Sequence, residues 1–292
     1  KEGGQKKSCR HAQKRIENYE QRGFRMKKIV YSITMALAIV LLVACQSNSK
    51  HNVNTKKVVV ATAGNIRPFS YQDNGKLTGY DIEVIRAASK YIKGYDISFK
   101  ITAWDSIFVG MDSGKFQIAA NNLSYTKERA SKYLYSIPIA TNPLVLVVPK
   151  NSSISKLDDI AGKTTQDDTG TSTAKLVDEW NSKHKATPST IEYSGEDVSK
   201  RLLDLSNGEF DYLIFDKVSV ETIIKQNRYD FKVIELDTGS NPNNYILFSN
   251  ENNELQRQFN QAVKKLYSDG TLKKLSEKYL GGDYIPEKKE MK

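Results

Sequence analysis

Between Lys57 and Leu280 the apolar residues fall into short runs that switch between two spacings. Lys57–Ala63 (KVVVATA) is a β-branched run closed by Gly64 and reads as a buried strand. Asn74-Gly75 marks a turn. From Asp81 to Ile92, Ile82, Ile85, Ala88, Ser89 and Ile92 recur at helical spacing. Ile97–Ile101 reads as a strand, Asp105–Met111 as a helix closed by Gly114, Phe116–Ala120 as the next strand, and Thr126–Ser131 as a helix start. Leu144–Val148 follows Pro143 and is again strand-like. The second half predicts helices after Gly170 and over Val198–Leu205 and Val218–Gln226, with strands at Tyr212–Phe215, Phe231–Glu235 and Tyr245–Phe248. Helices over Glu254–Tyr267 and Leu272–Leu280 close the pattern. Strand-helix alternation of this kind predicts an α/β protein with largely parallel sheets.

The first 56 residues do not share the pattern. Met26-Lys27-Lys28 opens a positive segment, and Ile29 to Ala44 is one apolar run. Its sixteen residues suit a signal-peptide core and fall short of the roughly 20 that span a bilayer. The run ends in Leu42-Val43-Ala44-Cys45, which resembles a bacterial lipobox, and Gln46 to Lys57 is a polar stretch suited to a tether. Residues 26–44 therefore read as a lipoprotein signal peptide. Cys45 reads as the lipidated (palmitate-bearing) residue, and 45–56 as a tether to the extracellular face of a bacterial plasma membrane. An ordinary secretory signal with an incidental cysteine is the other reading. Residues 1–25 are polar, have no apolar stripe, and read as a non-native upstream leader with Met26 as the start.

Charge changes meaning once it is located. The net charge is +10, but residues 1–44 hold ten Lys and Arg against three Glu, so the body carries only +3. That leaves no basic stripe for nucleic acid. The two cysteines are Cys9 and Cys45, so the body is free of thiols, which excludes cysteine catalysis and disulfides there. Its histidines are His51, in the tether, and His184, in a polar segment. A Ser-His-Asp triad around Gly170-Thr171-Ser172-Thr173-Ala174 is thereby disfavoured. No zinc, calcium or phosphate-loop spacing occurs.

Four places retain chemistry, each with a plain structural alternative. Thr171 and Ser172 open a helix and offer N–H groups and hydroxyls to an anion, or simply cap it. Arg129 enters a helix just after a strand and could clamp a carboxylate, or sit on a solvated face. Asp216 ends a strand and could receive an ammonium, or cap the next helix. Trp104 is a pocket wall or core.

Joined in order, these residues resemble the bacterial ABC-importer substrate-binding proteins for polar amino acids. The landmarks are Pro68-Phe69, Leu77-Thr78-Gly79-Tyr80-Asp81-Ile82, Trp104-Asp105, Thr126-Lys127-Glu128-Arg129, Leu157-Asp158-Asp159-Ile160-Ala161-Gly162-Lys163, Gly208-Glu209-Phe210-Asp211 and Asp269-Gly270-Thr271-Leu272. Within that family, the segment Asn121 to Ala130 and Phe215-Asp216-Lys217 are most similar to lipoproteins binding cystine or glutathione in streptococci and lactobacilli.

The resemblance implies a type II periplasmic-binding-protein-like fold, with two α/β lobes joined by two hinge strands. Lobe 1 would take residues 57–138 and 246–285, lobe 2 residues 144–240, and 286–292 would form a tail. The hinges would fall near Ile139–Pro143 and Asn241–Tyr245. It implies that Arg129 pairs a ligand α-carboxylate, helped by Ser124 and the helix start at Thr171 and Ser172. Asp216 and the Asn122 carbonyl would receive the α-ammonium, Trp104 would line the side-chain pocket, and Asn65 and Ile66 would lie at its rim. Many relatives carry an aromatic where Ile66 stands, so this pocket would be roomier. Asp168 would disfavour an acidic side chain and could accept a second ammonium, as in cystine. Glutathione brings more carboxylate. The implied partners are a small solute, an ABC permease and its ATPase, and the membrane through the lipid anchor only. No cofactor or metal is implied, and the protein would act as a monomer. The alternative is a secreted, dehydratase-like enzyme on the same two-lobed fold.

Overall fold

The computed structural model describes residues 55–291 apart from Thr238, Ser240 and Asn241. The leader, the signal segment, Cys45 and most of the tether lie outside the described residues, as does Asn241 of the second hinge.

The first sheet starts from the β-branched run. Strand β1 (Lys56–Thr62) has Val58, Val60 and Ala61 buried. A small antiparallel sheet follows: β2 (Asn65–Ile66), β3 (Ser70–Asp73) and β4 (Lys76–Thr78). Asn74 and Gly75 both take positive φ (48° and 75°) in its β3–β4 turn, as a two-residue hairpin requires. Helix α1 (Tyr80–Ser89) buries Tyr80, Ile82, Val84, Ile85 and Ala88. Gly79 enters it at φ 117°, and a Cβ there would lie 2.3 Å from the Phe69 carbonyl oxygen. Only glycine therefore allows Tyr80 and Asp81 to donate their N–H groups to Pro68 O and Phe69 O, at 2.9 and 3.0 Å.

Strand β5 (Tyr95–Ile101) and helix α2 (Trp104–Asp112) lead into β6 (Ile118–Ser124). Then come α3 (Lys127–Lys132), β7 (Tyr133–Tyr135) and β8 (Ala140–Thr141). The sheet is completed by the distant strand β14 (Asn243–Ser249), giving the order β5-β1-β6-β14-β7 with β8 also on β14. The C-terminal helices α7 (Asn253–Ser268) and α8 (Thr271–Leu280) bury Leu255, Phe259, Val263 and Leu272 against α1 and one face of this sheet. Helix α2 covers the other face through Ile107, Met111 and the sheet residues Ala119 and Leu123.

The second lobe has its own core. Strand β9 (Leu144–Pro149) is flanked by β12 (Leu213–Asp216) and β13 (Phe231–Glu235). On one face α5 (Val198–Ser206) and α6 (Lys217–Asn227) bring Val198, Leu202, Leu205, Val220 and Ile223 onto Val145 and Val147. On the other, α4 (Ser172–Lys183) brings Val177 and Trp180 against Leu146, Tyr212 and Ile214. A parallel pair, β10 (Thr164–Asp167) and β11 (Thr190–Tyr193), lies alongside. Each fully buried Val, Leu, Ile or Phe contributes about 1.5–3 kcal/mol.

The two-lobed α/β architecture is as the resemblance implies, but the sheets are not largely parallel. Among the described residues only β1–β5, β1–β6 and β10–β11 pair in parallel. Strand β14 runs against β6, β7 and β8, and β9 runs against both β12 and β13. The chain crosses between lobes twice. A strand arriving from the other lobe starts at the crossing and runs away from it, whereas β6 and β12 run toward it. Opposed directions follow. The two crossings are themselves paired, Ala140 with Asn244 and Thr141 with Asn243. The strands that periodicity missed (β2, β3, β4, β7, β8, β10, β11) have two to four residues, too few to show alternation.

Candidate ligand-binding cleft

Strand β6 does not stop at Ala120, as its apolar run predicts, but continues through Asn121 and Asn122 to Ser124. Thr126 then caps α3, its hydroxyl accepting the Arg129 N–H at 3.1 Å. This short bend turns the Arg129 side chain inward, where it is only 7% exposed. The guanidinium donates to Ser124 O at 3.2 Å and, across the cleft, to Gly170 O at 3.1 Å. It also lies over the rings of Trp104 (5.5 Å) and Phe108 (5.1 Å). Burial lowers its pKa from the ordinary value. Among the described residues no carboxylate stands within ion-pair distance of it.

Asp216 ends β12 in the other lobe and is 5% exposed. One carboxylate oxygen caps α6 by accepting the Ser219 N–H at 2.8 Å. The other accepts from Asn122 Nδ2 at 2.8 Å. Asp216 therefore caps a helix, the plain alternative of its sequence reading, and also lines the cleft. Burial raises its pKa, against the hydrogen bonds from Ser219, Asn142 and Asn122. It too has no cation within pairing distance among the described residues.

A polar network beneath the cleft fixes Asn122, which sits at φ 51°. Its N–H donates to Asp81 Oδ2 at 2.7 Å. Asn142, at one crossing, donates to Asn122 Oδ1 at 3.1 Å. Asn244, at the other, donates to Asp81 Oδ1 at 3.1 Å and to Asn122 Oδ1 at 3.3 Å. Burial raises the Asp81 pKa to about 7, moderated by Asn122 and Asn244 and increased by Asp216. The site floor and both crossings thus share one set of hydrogen bonds.

Above this floor lies a cavity of about 520 Å³ between the lobes. All ten residues singled out from the sequence line it: Asn65, Ile66, Trp104, Asn122, Ser124 and Arg129 from the first lobe, and Asp168, Thr171, Ser172 and Asp216 from the second. Thr171 does cap α4, accepting the Ala174 N–H at 3.0 Å. The first-turn N–H groups of such a helix have no partner inside it and face an anion favourably. Trp104 bridges the lobes through Nε1, which donates to Thr169 O at 3.0 Å. His184 does not line the cavity: its ring stacks on Trp180 at 4.0 Å.

One residue stands differently from the expectation. Asp168 is already engaged, its Oδ1 2.8 Å from Nη2 of Arg201. Arg201 was not singled out in the sequence, nor was the segment Tyr193 to Val198, which also lines the cavity. A signal for Arg201 existed, since it falls on the apolar stripe of α5 with Val198 and Leu205, where a solvated arginine would not.

Residues 58–282 match the model of the bacterial extracellular solute-binding proteins, family 3. The chain belongs to this family. Among relatives of this family 3 protein is the L-cystine-binding protein TcyA of Bacillus subtilis, 33% identical over 276 residues, spanning 88% of this chain and 99% of TcyA. A structure from work on glutathione import through GshT and the cystine ABC importer TcyBC of Streptococcus mutans is 48% identical, with a TM-score of 0.79, covering 81% of this chain and 99% of that one. A putative L-cystine ABC transporter structure from Listeria monocytogenes is 30% identical, with a TM-score of 0.74, covering 80% and 99%. The relatives of this solute-binding protein are binding components rather than enzymes.

Proposed function

We propose that the protein captures a polar amino acid derivative, cystine or a related sulfur compound such as glutathione, and delivers it to an ABC permease. The observation that carries this reading is a pair of opposite charges, Arg129 and Asp216, each buried, each without a counter-ion among the described residues, on opposite lobes of one cavity. Leaving either charge unpaired in a protein interior is costly. An α-amino acid group supplies both missing partners at once: its carboxylate meets Arg129, Ser124 and the α4 start at Thr171 and Ser172, and its ammonium meets Asp216 and the Asn122 carbonyl.

The ligand then drives hinge closure, because only the closed arrangement offers both partners. Hinges near Ile139–Pro143 and Asn241–Tyr245 divide lobe 1 (57–138, 246–285) from lobe 2 (144–240). Trp104, Asn65 and Ile66 form the side-chain end, and Ile66 leaves space for a ligand larger than a simple amino acid. Cystine and glutathione are favoured over other polar amino acids because relatives named for them match over most of the chain. Binding is favoured over a dehydratase-like enzyme because the relatives that match over most of the chain are named as binding proteins. Lipidation at Cys45 would hold the monomeric protein at the outer face of the membrane beside its permease.

Calorimetric titration with L-cystine, L-cysteine and reduced and oxidised glutathione tests the reading. Saturable one-to-one binding of at least one, lost in Arg129→Ala, is the expected result. No binding of any of the four, or turnover of one of them, would overturn it.

A further inference from the structure

The zwitterion reading uses only the carbonyl of Asn122 and gives its side chain no task. Yet that side chain stands where one is costly. Strands β6 and β14 lose register here: Ala119 faces Leu247 and Leu123 faces Tyr245, so three residues of β6 lie opposite Ile246 alone. Such a bulge re-aims the residues it carries. Asn121 turns back toward β1, its Oδ1 accepting from the Ala63 N–H at 2.9 Å and from the Thr62 hydroxyl at 3.1 Å. Asn122 takes φ 51°, a left-handed conformation that glycine adopts without penalty. What glycine could not supply is the amide. Asn122 Nδ2 crosses to Asp216 Oδ2 at 2.8 Å, and Oδ1 accepts from Asn142 Nδ2 at 3.1 Å and from Asn244 Nδ2 at 3.3 Å.

Asn142 makes the same connection from the first crossing. It is 6% exposed and does not line the cavity, so a solute held there does not meet it. Its Oδ1 accepts the Val218 N–H, in the first turn of α6, at 3.3 Å, and its amide bonds to Asp216 as well as to Asn122. Asp216 thus takes donors from Ser219, Asn122 and Asn142, which belong to the second lobe, the first lobe and the crossing between them. Hydrogen bonds to a carboxylate favour its ionised form, which burial opposes. We infer that Asn122 and Asn142 are positioning residues for the ligand ammonium: their side-chain amides hold the Asp216 carboxylate, on one lobe, against the Asn122 carbonyl, on the other, so that the two acceptors form one receptor when the crossings bring the lobes together. The inference rests on the zwitterion reading and adds to it the residues that assemble the ammonium half of the site.

The test titrates Asp216 in the ligand-free protein by carboxyl-carbon NMR, the signal being assigned by its loss in Asp216→Asn. Calorimetry of the same proteins with L-cystine, L-cysteine and reduced and oxidised glutathione, from mildly acidic to neutral pH, supplies the affinities. Asn122→Gly removes the amide, keeps the carbonyl and suits the φ; Asn142→Ala removes the other donor without altering the cavity wall. Either should move the Asp216 midpoint up by about one pH unit or more, as for any lost hydrogen bond to a charged group. Affinity should fall about tenfold, and its acid limb should move with the midpoint. Asp81 is the other titrating group of this network and keeps its bond from the residue 122 N–H in Asn122→Gly, so its midpoint is the internal control. Lys217, next to Asp216 in the chain, is turned to Glu235 at 2.9 Å. A merely structural role would lower the melting temperature and leave the Asp216 midpoint and the acid limb in place. That result, or a shifted midpoint with wild-type affinity, overturns the inference and leaves the Arg129–Asp216 site standing. Wild-type protein that binds none of the four compounds overturns both.

Discussion

Arg129 and Arg201 are buried to similar depth in the wall of one cavity, yet their surroundings are opposite. Arg129 has two backbone carbonyls and two aromatic faces, with no carboxylate in reach among the described residues. Arg201 has two aspartates against it. The first is a cation whose partner has to come from outside; the second is held by the protein's own carboxylates. Burial alone does not mark a ligand group. What marks it is burial together with an unfilled electrostatic or hydrogen-bonding requirement.

The contrast is broken most decisively by removing the charges that lack partners. Arg129→Ala and Asp216→Ala should each reduce ligand affinity by a hundredfold or more, since truncating one member of a buried charge pair costs about 2–5 kcal/mol or beyond. Calorimetry on variants with native circular dichroism measures this, and wild-type affinity in either would remove that residue from the site. Stability should then order the two arginines the other way. Arg201→Met leaves the buried Asp167 and the partly exposed Asp168 without a cation and should cost about 3–5 kcal/mol in denaturant unfolding. Arg129→Met removes a charge that had no counter-ion and should cost under about 1 kcal/mol. Equal losses would show that the two guanidinium groups are held alike.

Proton linkage sharpens the same point on the acidic side. Asp81 titrates at about 7 when folded and at about 3.8 when unfolded, and Asp216 is shifted in the same direction, both through burial. Between those values the folded protein holds more protons than the unfolded chain. Stability of the ligand-free protein should therefore fall as pH rises from about 4 to about 7, by at most about 1.4 kcal/mol per pH unit for each group. Thermal melts across that range should show the slope, and Asp81→Asn should flatten it. A stability that rises with pH over this interval would contradict the assignment. Ligand ammonium at Asp216 should displace a proton under mildly acidic conditions, seen as a buffer-dependent binding enthalpy. The smallest effect is expected at Trp104→Phe, which removes the indole N–H donated to Thr169 O while keeping an apolar wall. It should weaken binding by about 1 kcal/mol, and no change would mean that this cross-lobe bond does not help hold the lobes together.

Much of this was legible along the chain. Periodicity located the long helices and the buried strands because a helix face or a β-branched run repeats within a few residues. Arg129, Asp216 and Thr171 could be singled out because each follows a strand or opens a helix, where a side chain is placed toward a sheet end. Each also carried a bland alternative, and for Thr171 and Asp216 the capping alternative is realised together with a place on the cleft wall. Local sequence could not separate the two roles because one carboxylate or hydroxyl serves both.

Residue order along the chain carries the alternation of elements, the distribution of charge and the presence of an arginine and an aspartate on separate segments. Tertiary structure alone decided strand direction, because direction depends on where the chain crosses between lobes and not on the residues inside a strand. It also decided that Asp81, Asn122, Asn142, Asn244 and Asp216, drawn from five separate segments, share one network. And it decided that Asp168 meets Arg201: a charge's counter-ion is set by proximity in space, and these two lie 33 residues apart in a chain that records only order.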